Sequence, residues 1–154
     1  LGQQANITVF DGAATPVSHT LVGDGIEKTG AGTALTTLAL WREQIATVPD
    51  YAQVRLTQFL SRLKSGIKKT VSRVEVPVME SVSGQNAQGY TAPPKVAYVD
   101  RYELVGYHNP RSTETTKRIA MQILLNHLNN VSTTVTPVSA GVAADVHQRL
   151  IQVS

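Results

Sequence analysis

The hydrophobic pattern of this chain changes period once, near Asn109-Pro110, and that change constrains the fold more than any other feature. Before it, apolar residues alternate with polar ones in short runs bounded by glycine, proline and turn dipeptides; after it they recur every three to four residues. Period two belongs to strands that bury one face, and a period near 3.6 to amphipathic helices. Five or six strands followed by two helices make an α+β chain built on one antiparallel sheet. At 154 residues this is a single domain, 1–154, long enough to bury a core.

Residues 6–10 are β-branched and aromatic, and Asp11-Gly12 follows as a turn dipeptide. A second run reaches Val22 before Gly23-Asp24-Gly25, so the spacing predicts a hairpin over 1–25 and, from its glycines, a loop over 26–32. A sheet over 33–108 comes next. Its Thr33–Arg42 segment reads as strand or helix, because Leu35, Leu38 and Trp41 suit either period. Val54, Leu56 and Leu60 share one side of a strand whose other side carries Arg55, Thr57, Phe59 and Ser61. Ser65-Gly66 turns it, and the return strand sets Val74, Val76 and Val78 against Lys69, Val71, Arg73 and Glu75. Pro77 belongs at a strand end or an edge, since it donates to no ladder. Residues 81–94 form a long uncharged loop, and loops of that length in compact domains tend to be functional. The next strand, from about Val96 to His108, sets Tyr98, Tyr102 and Leu104 against Val99, Arg101, Glu103 and Val105. Two helices are expected within 112–151. The first is capped by Ser112 or Thr113, carries Ile119, Ile123, Leu124 and Leu128 as an apolar stripe, and closes at Asn129-Asn130. The second, shorter one repeats Val142, Val146 and Leu150.

Charged residues make up 16% of the chain, below the usual quarter, which hints that something else covers much of the surface. The absence of cysteine excludes disulfides, thiolate metal sites and a cysteine nucleophile. No apolar run is long enough to span a membrane, and no basic-then-apolar leader marks the chain for export. Gly25 and Gly30 have phosphate-loop spacing, but Ala31-Gly32 stands where the lysine and hydroxyl must be. His19, His108, His127 and His147 lie far apart in sequence, so no metal site is expected, and His108 reads as a capping or surface residue. There is no nucleophile elbow. Glu75 and Glu103 could form a carboxylate pair on adjacent strands, but charge balance against Arg73 and Arg101 is the better reading. No catalytic residue and no cofactor is expected.

Between Asp50 and Glu75 stand six basic residues and no acidic one. A solvated face or a protected edge is the plain explanation. The alternative is a cationic sheet surface for a polyanion, favoured because Arg55, Arg73 and Arg101 come from three strands and share one phase.

Thr70-Val-Ser-Arg-Val-Glu-Val-Pro77, the glycine-containing loop, the strand ending Tyr102-Glu-Leu104 and the helix Thr116-Lys-Arg-Ile-Ala-Met-Gln-Ile-Leu-Leu125 occur in this order. Their succession resembles the coat proteins of single-stranded RNA bacteriophages, the leviviruses. The resemblance implies an N-terminal hairpin on the capsid exterior and a five-stranded meander sheet lining the interior. It also implies a homodimer, with sheets edge to edge and each subunit's helices packed on its partner's sheet through Ile119, Ile123, Leu124 and Leu128. Dimers would close into an icosahedral shell in the host cytoplasm, the protein ending in the virion, with Gly84, Gln85, Asn86, Gly89 and Tyr90 in the assembly loop. The partner would be single-stranded RNA at Arg55, Thr57, Lys69, Arg73, Arg101 and Glu103, with an operator hairpin bound to repress replicase translation. No membrane and no small-molecule substrate is implied. The stacking tyrosine of relatives aligns with Val99 here, and Tyr98 and Tyr102 are out of phase with the interior. A dimeric RNA-binding regulator that forms no shell is the alternative, and the 81–94 loop, which only a shell needs, separates the two.

Overall fold

The computed structural model describes residues 3–81, 84 and 87–154. Six strands lie in sequence order in one antiparallel sheet: β1 (Ile7–Phe10), β2 (Ser18–Thr29), β3 (Thr36–Glu43), β4 (Arg55–Arg62), β5 (Lys68–Met79) and β6 (Val96–His108). They are followed by helix α1 (Glu114–Leu128) and a short α2 (Val142–Ala144) that widens into a π turn over Asp145–Arg149. The α+β reading holds, and the segment open to either period is the strand β3.

The first two strands depart from expectation in one respect. Gly23-Asp24-Gly25 does not break the chain but forms a bulge inside one continuous β2, across which pairing moves from Gly23 opposite Trp41 to Gly25 opposite Leu40. Gly25 takes φ 122°, open to glycine alone at little cost, so the strand absorbs an extra residue and continues through Ile26–Thr29, where a loop was expected. The hairpin is therefore continuous with the sheet, sharing β2 with it. Asp11 fixes its turn: Oδ1 accepts from the amides of Val17 at 2.8 Å and Ala13 at 3.2 Å.

Residues directly opposite in a ladder share a face, so the register assigns every side chain. One face carries Leu21, Trp41, Leu56, Gln58, Thr70, Ser72, Val74 and Tyr102; the other carries Arg55, Thr57, Phe59, Lys69, Val71, Arg73, Glu75, Arg101, Glu103, Val105 and Tyr107. Pro77 pairs with Val99 on β6, two residues past the point where β4 ends at the Arg55–Glu75 pair. Its missing donor thus costs no ladder bond on the β4 side.

The core lies on the first face, over β2 to β4. Trp41 and Ala39 are fully buried with Leu21 and with Val153 from the C-terminal tail. Polar ties hold the tail there: Gln152 Nε2 donates to the carbonyls of Gln58 at 2.9 Å and Thr37 at 3.3 Å, and the Gln4 amide to that of Ser154 at 3.1 Å. Trp41 Nε1 donates to the Ala5 carbonyl at 2.9 Å, so the large ring is buried without an orphaned donor.

Thr113 caps α1, its side chain accepting from the Thr116 amide at 3.2 Å, and Asn130 takes the left-handed conformation just past its end. The second helix is less regular than its four-residue spacing suggests. Val146 is fully buried, but Leu150 adopts φ 58° and ends the π turn rather than adding a third member to a stripe. Arg118 Nε donates to Gln148 Oε1 at 2.9 Å, linking α1 to that turn.

Candidate nucleic-acid interface

The register brings all six expected contact residues, Arg55, Thr57, Lys69, Arg73, Arg101 and Glu103, onto the face opposite the core. A slip of one residue would have scattered them, and the buried Thr70 and Gln58 on the other face fix the phase. The charges on this face are mostly matched. Arg73 Nε donates to Glu103 Oε1 at 2.6 Å, and Arg101 donates to Glu75 Oε1 through Nε at 2.9 Å. Both pairs are directly opposite in the β5–β6 ladder. The carboxylates therefore act as arginine partners. Arg55 is tethered differently, its guanidinium donating to the Asp50 carbonyl at 3.1 Å.

Lys69 stands apart. Among the described residues no carboxylate pairs with it; its ammonium instead lies 5.7 Å from the centre of the Tyr107 ring, directly opposite on β6. Arg73 lies similarly over Phe59, 4.9 Å from the ring centre. Thr57 is only 6% exposed and Val71 is also buried, so long side chains cover part of this face, and Thr57 forms its floor rather than its surface. Tyr107, by contrast, is 64% exposed. It went unremarked in the sequence, although it shares parity with Val99, Arg101, Glu103 and Val105. Tyr98 and Tyr102 pair with Val78 and Val74 on the core-side face, as their phase predicts.

A second polar cluster unites two of the widely spaced histidines. His147 is buried with Nδ1 2.9 Å from Thr70 Oγ1 and Nε2 2.8 Å from Ser72 Oγ, so each nitrogen of its neutral ring has a partner. Thr70 Oγ1 also lies 2.9 Å from His108 Nε2, so His108 belongs to this cluster rather than to the surface expected for it. Burial, with His108 beside it, pulls the His147 pKa down to about 4. Gly106 makes the approach possible, since a Cβ there would stand 2.8 Å from Thr70 Oγ1 and 2.7 Å from His108 Nε2. Across the sheet, His19 bridges Glu43 at 2.9 Å and Asp11 at 3.3 Å. These carboxylates, Asp11 foremost, raise its pKa. The described residues include no cluster suited to a metal ion and no helix long and apolar enough to cross a membrane. A cavity of about 360 Å³ lies between α1 and the end of β6, lined by His108, Lys117, Met121, Leu124 and His147 among others; neither Glu75 nor Glu103 reaches it.

The family model for the levivirus coat protein matches residues 2–144. The chain belongs to the levivirus coat protein family. The coat protein in the solved virus-like particle of bacteriophage EMS014 is 32% identical, with 86% of this chain and 81% of that one covered and a TM-score of 0.67. The virus-like particles of bacteriophage NT-214 (22% identity, 99% and 100% covered, TM-score 0.64) and of Beihai levi-like virus 21 (19%, 87% and 99%, TM-score 0.59) share the fold. No curated protein matches. Levivirus coat proteins are structural capsid proteins and not enzymes, in keeping with the paired state of Glu75 and Glu103 in this one.

Of the assembly-loop residues, Gly84 and Gly89 adopt positive φ and Tyr90 is exposed, while Gln85 and Asn86 lie outside the described residues. The loop's base is closed by the Glu80 amide on the Lys95 carbonyl at 2.7 Å and by Tyr51 Oη donating to the Pro94 carbonyl at 2.7 Å. On α1, the stripe Ile119, Ile123, Leu124 and Leu128 is exposed in the single chain.

Proposed function

We propose that this coat protein forms a homodimer that closes into an icosahedral shell, in the virion, around single-stranded RNA held against the charged sheet face. The observation that carries the dimer is a pair of uncovered apolar surfaces. Val74, Val76, Tyr98 and Tyr102 are exposed on the core-side face of β5 and β6, and the α1 stripe is exposed as well. A second copy would cover both reciprocally. The outer strand β6 is thirteen residues long and forms the longer of the sheet's two edges, which otherwise invites uncontrolled pairing. Pairing with the same edge of a second subunit answers that, and a closed two-fold contact of this type is self-complementary. The 81–94 loop then supplies contacts between dimers, its small residues suiting a segment that must adopt more than one conformation in identical subunits.

RNA is held on the opposite face by Arg55, Lys69, Arg73 and Arg101, with Glu103 orienting Arg73 and Thr57 forming the floor. Phosphates are neutralised without regard to sequence. Recognition of an operator hairpin, and through it repression of replicase translation, is the finer part of the proposal. Electron microscopy of the purified protein, with the 260/280 nm absorbance ratio read on the same fraction, tests this reading. Uniform round particles rich in nucleic acid are expected. Dimers without particles would support the RNA-binding regulator instead.

A further inference from the structure

The charged face is unevenly neutralised along its strands. Toward one end, the Arg73–Glu103 and Arg101–Glu75 pairs satisfy cation and carboxylate together. Toward the other, where β4 turns into β5, Lys69 stands on this face with no carboxylate partner among the described residues, while Arg62 and Lys68, opposite each other in the ladder, belong to the core-side face. Tyr107 lies at this end, opposite Lys69. Tyr107 is 64% exposed, in contrast to the buried Val71 and Thr57 on the same face. The Lys69 ammonium lies 5.7 Å from the ring centre, and the residue stays largely exposed beside it. Val105, the preceding residue on this face of β6, is also exposed and extends the apolar surface. An exposed aromatic ring beside an unpaired cation has the chemistry that single-stranded nucleic acid selects: the cation meets a phosphate, and a base lays its π face on the ring.

We propose that Tyr107 is a nucleobase-stacking platform for single-stranded RNA, with Lys69 polarising the ring and meeting the adjoining phosphate. The proposal rests on the RNA-facing reading of this sheet surface and places base contact at a point that the aligned position, Val99, cannot supply. Stacking of this kind tolerates every base, so the platform would add affinity along any unpaired RNA.

The test uses RNA-free protein of the full chain and two ribose-phosphate oligomers of equal length and charge, oligo(A) and its abasic counterpart. Tyr107→Leu removes the π face but leaves the charges, and the exposure of Tyr107 makes the substitution tolerable to the fold, as circular dichroism would verify. Oligo(A) affinity should fall about tenfold in Tyr107→Leu. Abasic affinity and the salt dependence of binding should stay as in the unsubstituted protein, and Tyr107→Phe should restore oligo(A) binding. An equal loss on both oligomers, or no loss on oligo(A), would overturn the platform while leaving the charged face intact. If the unsubstituted protein binds neither oligomer in a salt-dependent way, the RNA-facing reading fails and the platform with it.

Discussion

The core-side face of the sheet has two halves of unlike character. Over β2 to β4, the chain covers itself: Val153 and Gln152 of the tail lie on Trp41, Ala39 and Gln58. Over β5 and β6, past the His147 cluster, Val74, Val76, Tyr98 and Tyr102 meet nothing comparable, and Tyr102 is 83% exposed. A chain able to bury one half so thoroughly yet leave the other open is what the proposed dimer requires, with a second copy covering the open half. Folding then depends on the first half and assembly on the second, and substitutions should separate the two.

The largest effect should come from the covered half. Val153→Asp would bury an unpaired charge against Trp41, costing several kcal/mol, about 3 or more, and should abolish cooperative urea unfolding read from Trp41 fluorescence. A variant that still unfolds cooperatively near the usual midpoint would show that the tail is not part of the core. Next should come the open half. Ile123→Asp, at a position 66% exposed in the single chain, should cost the chain little by itself yet weaken dimerisation roughly a hundredfold, read by sedimentation. An unchanged dimer would place α1 elsewhere.

The His147 cluster separates the two halves, and its contribution depends on pH. Because the folded His147 pKa, about 4, lies below the unfolded value near 6.5, the unfolded chain binds the proton first. Its stabilisation is thus whole above pH 6.5 and lost as pH falls toward 4, a change of about 3 kcal/mol. His19 has the opposite sign: its raised pKa gives stability below pH 6.5 that fades as pH rises through the folded value. His147→Gln should flatten the acid side of a stability–pH profile measured by urea unfolding; an unaltered acid limb would remove His147 from the account. The smallest effect should be on the charged face. Arg73→Ala with Arg101→Ala should change stability by no more than about 1 kcal/mol, since these pairs are partly exposed. Dimers should remain and encapsidated RNA should fall; unchanged RNA content would refute the roles assigned to them. In the same spirit, deletion of 84–90 should spoil shell closure and spare the dimer, and normal particles would exclude the loop from assembly.

What could be read in the sequence followed the range of the interaction. The parity of Arg55, Arg73 and Arg101 was legible because a strand's period of two ties each residue to a face, and Thr113 and Asn130 were legible because helix ends use local hydrogen bonds. Gly23-Asp24-Gly25 misled, since glycine marks a break and a bulge alike, and only the β3 partner decides between them. The contact of His147 with Thr70 spans 77 positions, and nothing near either residue announces it. The packing of Val153 on Trp41 is equally remote in sequence. Tyr107 was a different matter: its parity was plain, but its value depends on Lys69 across the ladder and on the arginines farther along being already paired.

Hydroxyl-radical footprinting of assembled particles, filled with RNA and emptied of it, tests the division of the two faces most directly. Tyr102 on the core-side face should be protected in both states, as its cover by a second subunit in the proposed dimer requires. Tyr107 on the charged face should be protected only when RNA is present. A Tyr102 that reacts freely in the particle, or a Tyr107 whose reactivity ignores the RNA, would contradict the account.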